Sequence, residues 1–280
     1  NKNNNDRVTV LLYSIKVIDK NILSGNKFKM SIYNINGKTV VVTGGAEGLG
    51  LSMIENFLKG GAKLAIILDV NEKLGIKTSS ELKKKYGVDR VFFLNCDVTK
   101  DLDQIYEEIT KVCTTVDVLI NNAGVLDEKN IRRTLEINAI AVMEWTMKFY
   151  DLMRKDFHGN GGTIINVSSI FGYRLVPFSY IYNGSKAAVL AFSRSLGQKY
   201  NYDKTVITLC PGLTHTELPK SGNVRDDDTY DDMRELIKDY HWQSVDDIGK
   251  ATVDIFHMAE SGTAWVAEGG EPAKDINTIR

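Results

Sequence analysis

Cysteine, histidine, long apolar runs and net charge are all in short supply in this chain of 280 residues. The three cysteines, Cys96, Cys113 and Cys210, are an odd number without metal-site spacing, and each sits among apolar neighbours. They are expected to be reduced core thiols of a cytoplasmic protein. The four histidines (His158, His215, His241, His257) form no close pair, so no metal is expected. Basic and acidic residues nearly balance, leaving a net charge of −1. So neutral a chain has no general electrostatic attraction for nucleic acid or an anionic membrane. No apolar run approaches the ~20 residues of a membrane-crossing helix. Repeats and low-complexity linkers are missing too, so a single domain is expected.

Residues Asn1–Lys29 differ from the rest. They are rich in Asn and Lys, with one apolar patch at Val8–Ile15. That patch is short for the apolar core of a secretory signal, and no small-residue cleavage site follows it. Residues 1–29 are read as a disordered, dispensable extension, and residues 30–280, opening at Met30, as the domain.

Inside the domain, apolar β-branched runs alternate with helical patterns. Strands are predicted at Thr39–Thr43, Lys63–Val70, Val91–Cys96, Val116–Ile120, Thr163–Val167, Val206–Leu209 and Thr263–Val266. Helices are predicted at Leu51–Lys59, Glu72–Tyr86, Leu102–Cys113, Ile131–Phe157 and Tyr182–Tyr200. The alternation implies an α/β fold: a Rossmann-type, doubly wound parallel sheet with helices on both faces. Leu213–Gln243 breaks the rhythm. Its acidic cluster (Asp226, Asp227, Asp228, Asp231, Asp232) lacks the alternating ligands and turn glycine of a calcium loop, so it reads as a solvated face. Such an insertion is also a place for a substrate lid.

Thr43-Gly44-Gly45-Ala46-Glu47-Gly48-Leu49-Gly50 joins the first strand to the first helix. Glycines there permit a tight turn and let the backbone approach a pyrophosphate at the helix N-terminus. Asp69 follows 19 residues past Gly50, at a strand end, where a carboxylate can accept both hydroxyls of an adenosine ribose. Asn121-Asn122-Ala123-Gly124 follows the fourth strand. Its amides can tie neighbouring strand ends together, and Ala123 and Gly124 leave room for a cofactor. Asp97, past the third strand, is expected to contact adenine or to cap the following helix.

The chemistry centres on Thr163–Tyr200. Tyr182 and Lys186 are four apart, hence on one helix face. A free tyrosine titrates near pH ~10, and a neighbouring cation lowers that value. A tyrosine so tuned can take a proton from an alcohol or return it to a carbonyl. Ser169, 13 residues ahead of Tyr182, can hold the substrate oxygen, with Ser168 as the alternative. A second Tyr-x-x-x-Lys pattern, Tyr200–Lys204, has no serine at that distance.

Taken together, TGxxxGxG, the acidic strand end, NNAG, Ser169, Tyr182-x-x-x-Lys186 and Pro211-Gly212 resemble the short-chain dehydrogenases/reductases, from about Asn36 to the C-terminus. VDVLINNAGVLDEKNIRRTLEIN and GTAWVAEGG are most similar to insect-type alcohol dehydrogenases and hydroxyprostaglandin dehydrogenases. The resemblance implies Tyr182 as general acid/base and Ser169 as the group orienting the substrate oxygen. Lys186 would hold the nicotinamide ribose and depress the tyrosine pKa. Asn138 would hold a water in a proton relay, and Thr216 would bond the nicotinamide carboxamide. The implied cofactor is NAD, held by Gly44, Gly48, Leu49, Gly50 and Asp69, by Asp97 and Val98, by Asn122, Ala123 and Gly124, by Tyr182 and Lys186, and by Pro211, Gly212 and Thr216. The expected reaction interconverts a primary or secondary alcohol and its aldehyde or ketone. A steroid-like, prostaglandin-like or fatty hydroxyl substrate is the alternative, and a non-catalytic dinucleotide-binding protein the reading of another class. A homodimer or homotetramer is expected, with Trp145, Phe149, Val189 and Phe192 offered as subunit-facing residues.

Overall fold

The computed structural model describes residues 34–199, 204–218 and 223–278. The extension read at 1–29 and Tyr200 lie outside them. The described strands are β1 (Thr39–Thr43), β2 (Leu64–Asp69), β3 (Val91–Asn95), β4 (Val118–Asn121), β5 (Gly162–Val167), β6 (Lys204–Pro211), β7 (Ala264–Ala267) and β8 (Lys274–Asp275). They form one sheet in the order β3-β2-β1-β4-β5-β6-β7-β8. Each pair is parallel except β7 with β8, which is antiparallel. The connections run outward in opposite directions from β1 and β4. That reversal leaves a crevice at the carboxyl ends of these two strands, where α/β sheets bind their ligands.

The helices are α1 (Gly48–Lys59), α2 (Glu72–Tyr86), α3 (Leu102–Val112), α4 (Ile131–Leu135), α5 (Val142–Met153), α6 (Tyr180–Lys199), α7 (Asp227–Lys238) and α8 (Val245–Met258). Strand side chains alternate between two apolar layers. Val40 and Val42 join Met53, Phe57, Ile255 and Phe256 on the α1 and α8 side. Val41 joins Ile105, Ile109, Trp145 and Phe149 on the α3 and α5 side. Strands buried on both faces are why their sequences read as unbroken apolar runs.

The structure departs from the sequence reading in four places. The helix expected over Ile131–Phe157 is divided: α4 passes into a π-helical stretch, Glu136–Ala141, then α5, and a 3-10 turn at Lys155–Phe157. Asn138 lies within the π stretch, a local widening that recurs at functional sites. Second, α8 was not anticipated. It opens with a capping box, Asp247 N donating to Ser244 Oγ at 3.2 Å and Ser244 N to Asp247 Oδ2 at 2.9 Å. Gly249 lets it lie close on α1, since a Cβ there would stand 2.3 Å from Asn56 Nδ2. Third, α7 occupies part of the irregular segment, and its N-cap Asp226 accepts from Thr229 N at 2.9 Å. Asp231 and Asp232 on it are exposed. Fourth, of the residues offered as subunit-facing, Trp145, Phe149 and Val189 are at most 1% exposed and so lie inside the chain, Trp145 and Phe149 in the layer against the sheet, while Phe192 is half-buried. The large apolar side chains exposed along these helices are instead Ile131, Leu135, Ile140, Met147 and Tyr180.

No helix among the described residues is long and apolar enough to cross a membrane. All three cysteines are free, Cys96 and Cys210 buried and Cys113 half-buried.

Candidate active site

At the end of β1 the chain turns through Gly44 and Gly48, with φ of +62° and +56°, values that glycine adopts without strain. Gly50 has a different reason. A Cβ on it would stand 2.2 Å from the Gly44 carbonyl oxygen, so only glycine lets α1 close onto the loop. The end of β4 clamps the same loop. Asn122 Nδ2 donates to the carbonyls of Thr43 and Gly44, both at 3.0 Å. Thr43 Oγ1 accepts from the amides of Asn122 and Ala123 at 3.0 and 3.1 Å. The α1 N-cap, Glu47, makes no side-chain capping bond, and the first turn carries no acidic residue. Its amide groups are thus available to an anion, as a pyrophosphate requires.

Asp69 ends β2. One carboxylate oxygen accepts from Ala46 N at 3.0 Å and the other from Asn71 N at 2.9 Å, which fixes its orientation beside the loop. Burial pushes the Asp97 carboxyl up, but hydrogen bonds from Thr99 and Lys100 outweigh it and hold the group below its usual range. Its oxygens thus serve the turn that follows β3, while the residue still lines the crevice.

The crevice is a cleft of about 960 Å³. Its wall includes Gly44, Gly48, Leu49, Asp69, Asp97, Val98, Asn122, Ala123, Gly124, Ser169, Tyr182, Lys186, Pro211, Gly212 and Thr216. Residues expected from strands and helices far apart in sequence therefore meet on one surface. Gly50 and Asn138 do not line it. Asn138 is fully buried: its Oδ1 accepts from Val125 N at 2.8 Å, and its Nδ2 donates to Val125 O at 2.8 Å and Ser185 Oγ at 3.1 Å. Its side chain braces the loop after Gly124.

Tyr182 and Lys186 rise from the first turns of α6, and both are buried. The Lys186 ammonium lies 5.8 Å from the Tyr182 ring centre and donates to Val167 O at 3.0 Å. Burial pushes the phenol up to about 12, against the pull of its hydrogen bond with Ser169. Burial also brings the Lys186 amine down to about 8. The expected lysine-driven depression of the tyrosine pKa is therefore absent from the protein alone. Desolvation dominates both groups, and the ammonium is bonded to a carbonyl, not to the phenol. Ser168 and Ser169 diverge. Ser168 Oγ donates to Lys186 O at 2.7 Å and supports the helix, whereas the Ser169 hydroxyl meets the phenol and accepts from Phe171 N at 3.1 Å.

An apolar part of the wall is formed by Ile170, Phe171, Phe178, Leu213, Met233 and Ile237, with His215, Glu217 and Arg133 also on the lining. Met233 and Ile237 come from α7, so the irregular segment does help enclose the cleft. Two buried polar residues, Ser179 on the wall and Glu128 off it, escaped the sequence reading. Ser179, fully buried on the wall, has a hydroxyl without a hydrogen-bond partner. Glu128 is a buried carboxylate that accepts the amides of Ile181 and Tyr182. Nothing local in the sequence announces that pairing, because its partners lie more than 50 residues on.

Comparison with known proteins agrees with this geometry. The profile of the family described as short chain dehydrogenase matches residues 38–227. The 15-hydroxyprostaglandin dehydrogenase, NAD(+), of Rattus norvegicus is 36% identical over 193 residues, covering 67% of this chain and 72% of its own. Alcohol dehydrogenase 1 of Ceratitis cosyra is 30% identical over 251 residues, 86% of this chain and 95% of its own. Among solved structures, the 3-ketoacyl-(acyl-carrier-protein) reductase of Brucella melitensis complexed with NADH superposes with a TM-score of 0.73 at 24% identity, over 84% of this chain and 98% of that one. NAD+-bound xylitol dehydrogenase gives 0.72 at 21% identity, over 85% and 100%. The two solved structures share the fold, and the profile match and the sequence relatives go further: the chain belongs to the short-chain dehydrogenase family of oxidoreductases.

Proposed function

We propose that this protein is an NAD-dependent dehydrogenase acting on an apolar primary or secondary alcohol, with Tyr182 as general acid/base. The observation that carries the reading is the meeting of Tyr182, Ser169 and Lys186 on the same cleft as the glycine loop and Asp69. The residues fit a dinucleotide. Gly44, Gly48, Leu49 and Gly50 shape a cradle beside uncapped amides, and Asp69 stands where an adenosine ribose would lie. Asp97, Val98, Asn122, Ala123 and Gly124 form the adjoining wall, and Pro211, Gly212 and Thr216 close it from the other side. When bound, NAD supplies the hydride acceptor.

Ser169 holds the substrate hydroxyl, and Tyr182 takes its proton. A phenol at about 12 is a poor base until positive charge favours its ionised form. Lys186, beside the Tyr182 ring, is the group at hand to provide that charge and would also hold the nicotinamide ribose. The Asn138 side chain, expected to hold a relay water, is instead bonded to Val125 and Ser185. In the reverse direction Tyr182 returns the proton to the carbonyl.

The apolar wall supports a second reading of the substrate, an extended fatty or prostaglandin-like hydroxyl compound, because α7 adds Met233 and Ile237 beyond what a small alcohol would cover. NADH formation across a panel from ethanol to long-chain and cyclic secondary alcohols separates the two. No turnover with any of them would leave a non-catalytic binder. Tyr182→Phe should lower kcat by at least ~10²-fold, as loss of a general acid/base does, while NADH still quenches protein fluorescence on binding. Near-full activity in that variant would remove Tyr182 from the mechanism.

A further inference from the structure

The first amide groups of a helix have no carbonyl partner within it, and a serine at the N-cap is a usual remedy. Ser179 stands at that position ahead of α6, yet its buried hydroxyl has no hydrogen-bond partner. Glu128 has taken the amides instead. One of its carboxylate oxygens accepts from Ile181 N at 2.9 Å, the other from Tyr182 N at 2.8 Å. The carboxylate is 2% exposed, so these bonds are its compensation for burial.

The consequence is geometric. A serine cap would move with the helix it caps. A carboxylate borrowed from another element fixes the helix to that element. Glu128 is itself held: its amide donates to Asn223 O at 2.7 Å, and Asn223 N donates back to Leu126 O at 3.0 Å. Beside it, the Asp127 carbonyl accepts from Thr134 Oγ1 at 2.7 Å. The same loop holds Asn122, which clamps the glycine turn, and Val125, which Asn138 braces. One stretch, Asn122–Glu128, therefore touches both the cradle and the main chain of Tyr182.

We infer that Glu128 is a positioning residue: it sets where Tyr182 stands relative to Ser169 and the cofactor cradle by holding the tyrosine's own amide. The inference rests on the reading of Tyr182 as the base. A shift of about 1 Å at a reacting group can cost on the order of 10²-fold in rate, so the loss should appear in kcat and spare cofactor binding.

The test is steady-state kinetics on Glu128→Ala and Glu128→Gln, with NADH-binding stoichiometry measured by fluorescence titration. For Glu128→Ala, kcat should fall by at least ~10-fold, with the KM for NAD and the Kd for NADH within about twofold of the parent and one NADH site per chain retained. Glu128→Gln keeps the length and one acceptor, and should fall between the two. A kcat within about twofold of the parent in Glu128→Ala would overturn the inference. So would a kcat that falls only in proportion to the NADH sites lost, which would mean fewer folded molecules. Should Glu128→Ala be insoluble, Glu128→Gln decides on the same criteria, with a loss of at least about threefold expected. If Tyr182→Phe is inactive and Glu128→Ala is normal, the positioning role alone fails. If Tyr182→Phe is active, the base assignment falls and the positioning role with it.

Discussion

The two halves of the cleft are built on different principles. The half bounded by β1, β2 and β4 is shaped by main chain: glycines in left-handed turns, an amide side chain bonded to two carbonyls, a carboxylate bonded to two amides. The half bounded by Ile170, Phe171, Phe178, Leu213 and α7 is shaped by apolar side chains from stretches well separated in the chain. Backbone geometry fixes a shape and admits few sequences. A wall of side chains fixes only volume and polarity, and admits many. One half can thus serve an invariant ligand, and the other can be retuned.

The comparison can be broken most sharply at Gly50. Gly50→Val forces a side chain into the Gly44 carbonyl oxygen, 2.2 Å from where its Cβ would be. Destabilisation of about 3 kcal/mol or more and loss of NADH binding are expected, read by thermal unfolding and fluorescence titration. Normal NADH affinity would show that the cradle tolerates backbone displacement. Asp69→Ala tests a polar contact in the same half. The parent should prefer NAD over NADP by roughly ten- to two-hundred-fold in kcat/KM, because a carboxylate opposes the 2′-phosphate. The variant should lose most of that preference, and equal kcat/KM values in the parent would refute the role given to Asp69.

The other half should respond differently. Met233→Ala should lower kcat/KM for long-chain alcohols by about tenfold relative to ethanol, the scale of a changed apolar contact, without altering the Kd for NADH. A parallel loss of NADH affinity would blur the division between the halves. The smallest effect concerns Lys186, which stands on the seam. Its amine is brought from 10.5 down to about 8 by burial. Below about pH 8 both folded and unfolded chains carry the charge, and its desolvation opposes folding in full. Between about 8 and 10.5 the unfolded chain holds more protons, so this contribution to stability rises with pH. Lys186→Met should therefore be more stable than the parent near pH 7, with the advantage fading by pH 10.5. Chemical denaturation at both pH values measures it, and a constant difference would assign the stability change to packing alone.

What was legible in the sequence follows the same division. The strands β1 to β7 were found because buried parallel strands are written as unbroken apolar runs. The glycine turn, Asp69 and Tyr182–Lys186 were found because each is a short local pattern with a mechanical reason. Glu128 was hidden because its partners are more than 50 residues away and are amides, which have no signature. The tyrosine environment is not written in the spacing: a separation of four places two side chains on one face, but burial and the Val167 carbonyl decide what they feel in the chain without cofactor. The helix α8 had a readable start, Ser244 followed by Asp247, and apolar residues at Ile248, Ala251, Ile255 and Phe256.

The two ends of the sheet carry one more consequence. A strand with a free side is a template on which a foreign chain can grow, and long flat edges are where ordered aggregates begin. Here one end closes on β8, only two residues long and running against its neighbour. The other ends on β3, where Phe92, 38% exposed, lies under the Lys83 ammonium at 5.5 Å from the ring centre. A recruited strand would find almost no ladder at the first edge and a positive charge at the second, so both ends of this sheet are poor seeds for fibre growth.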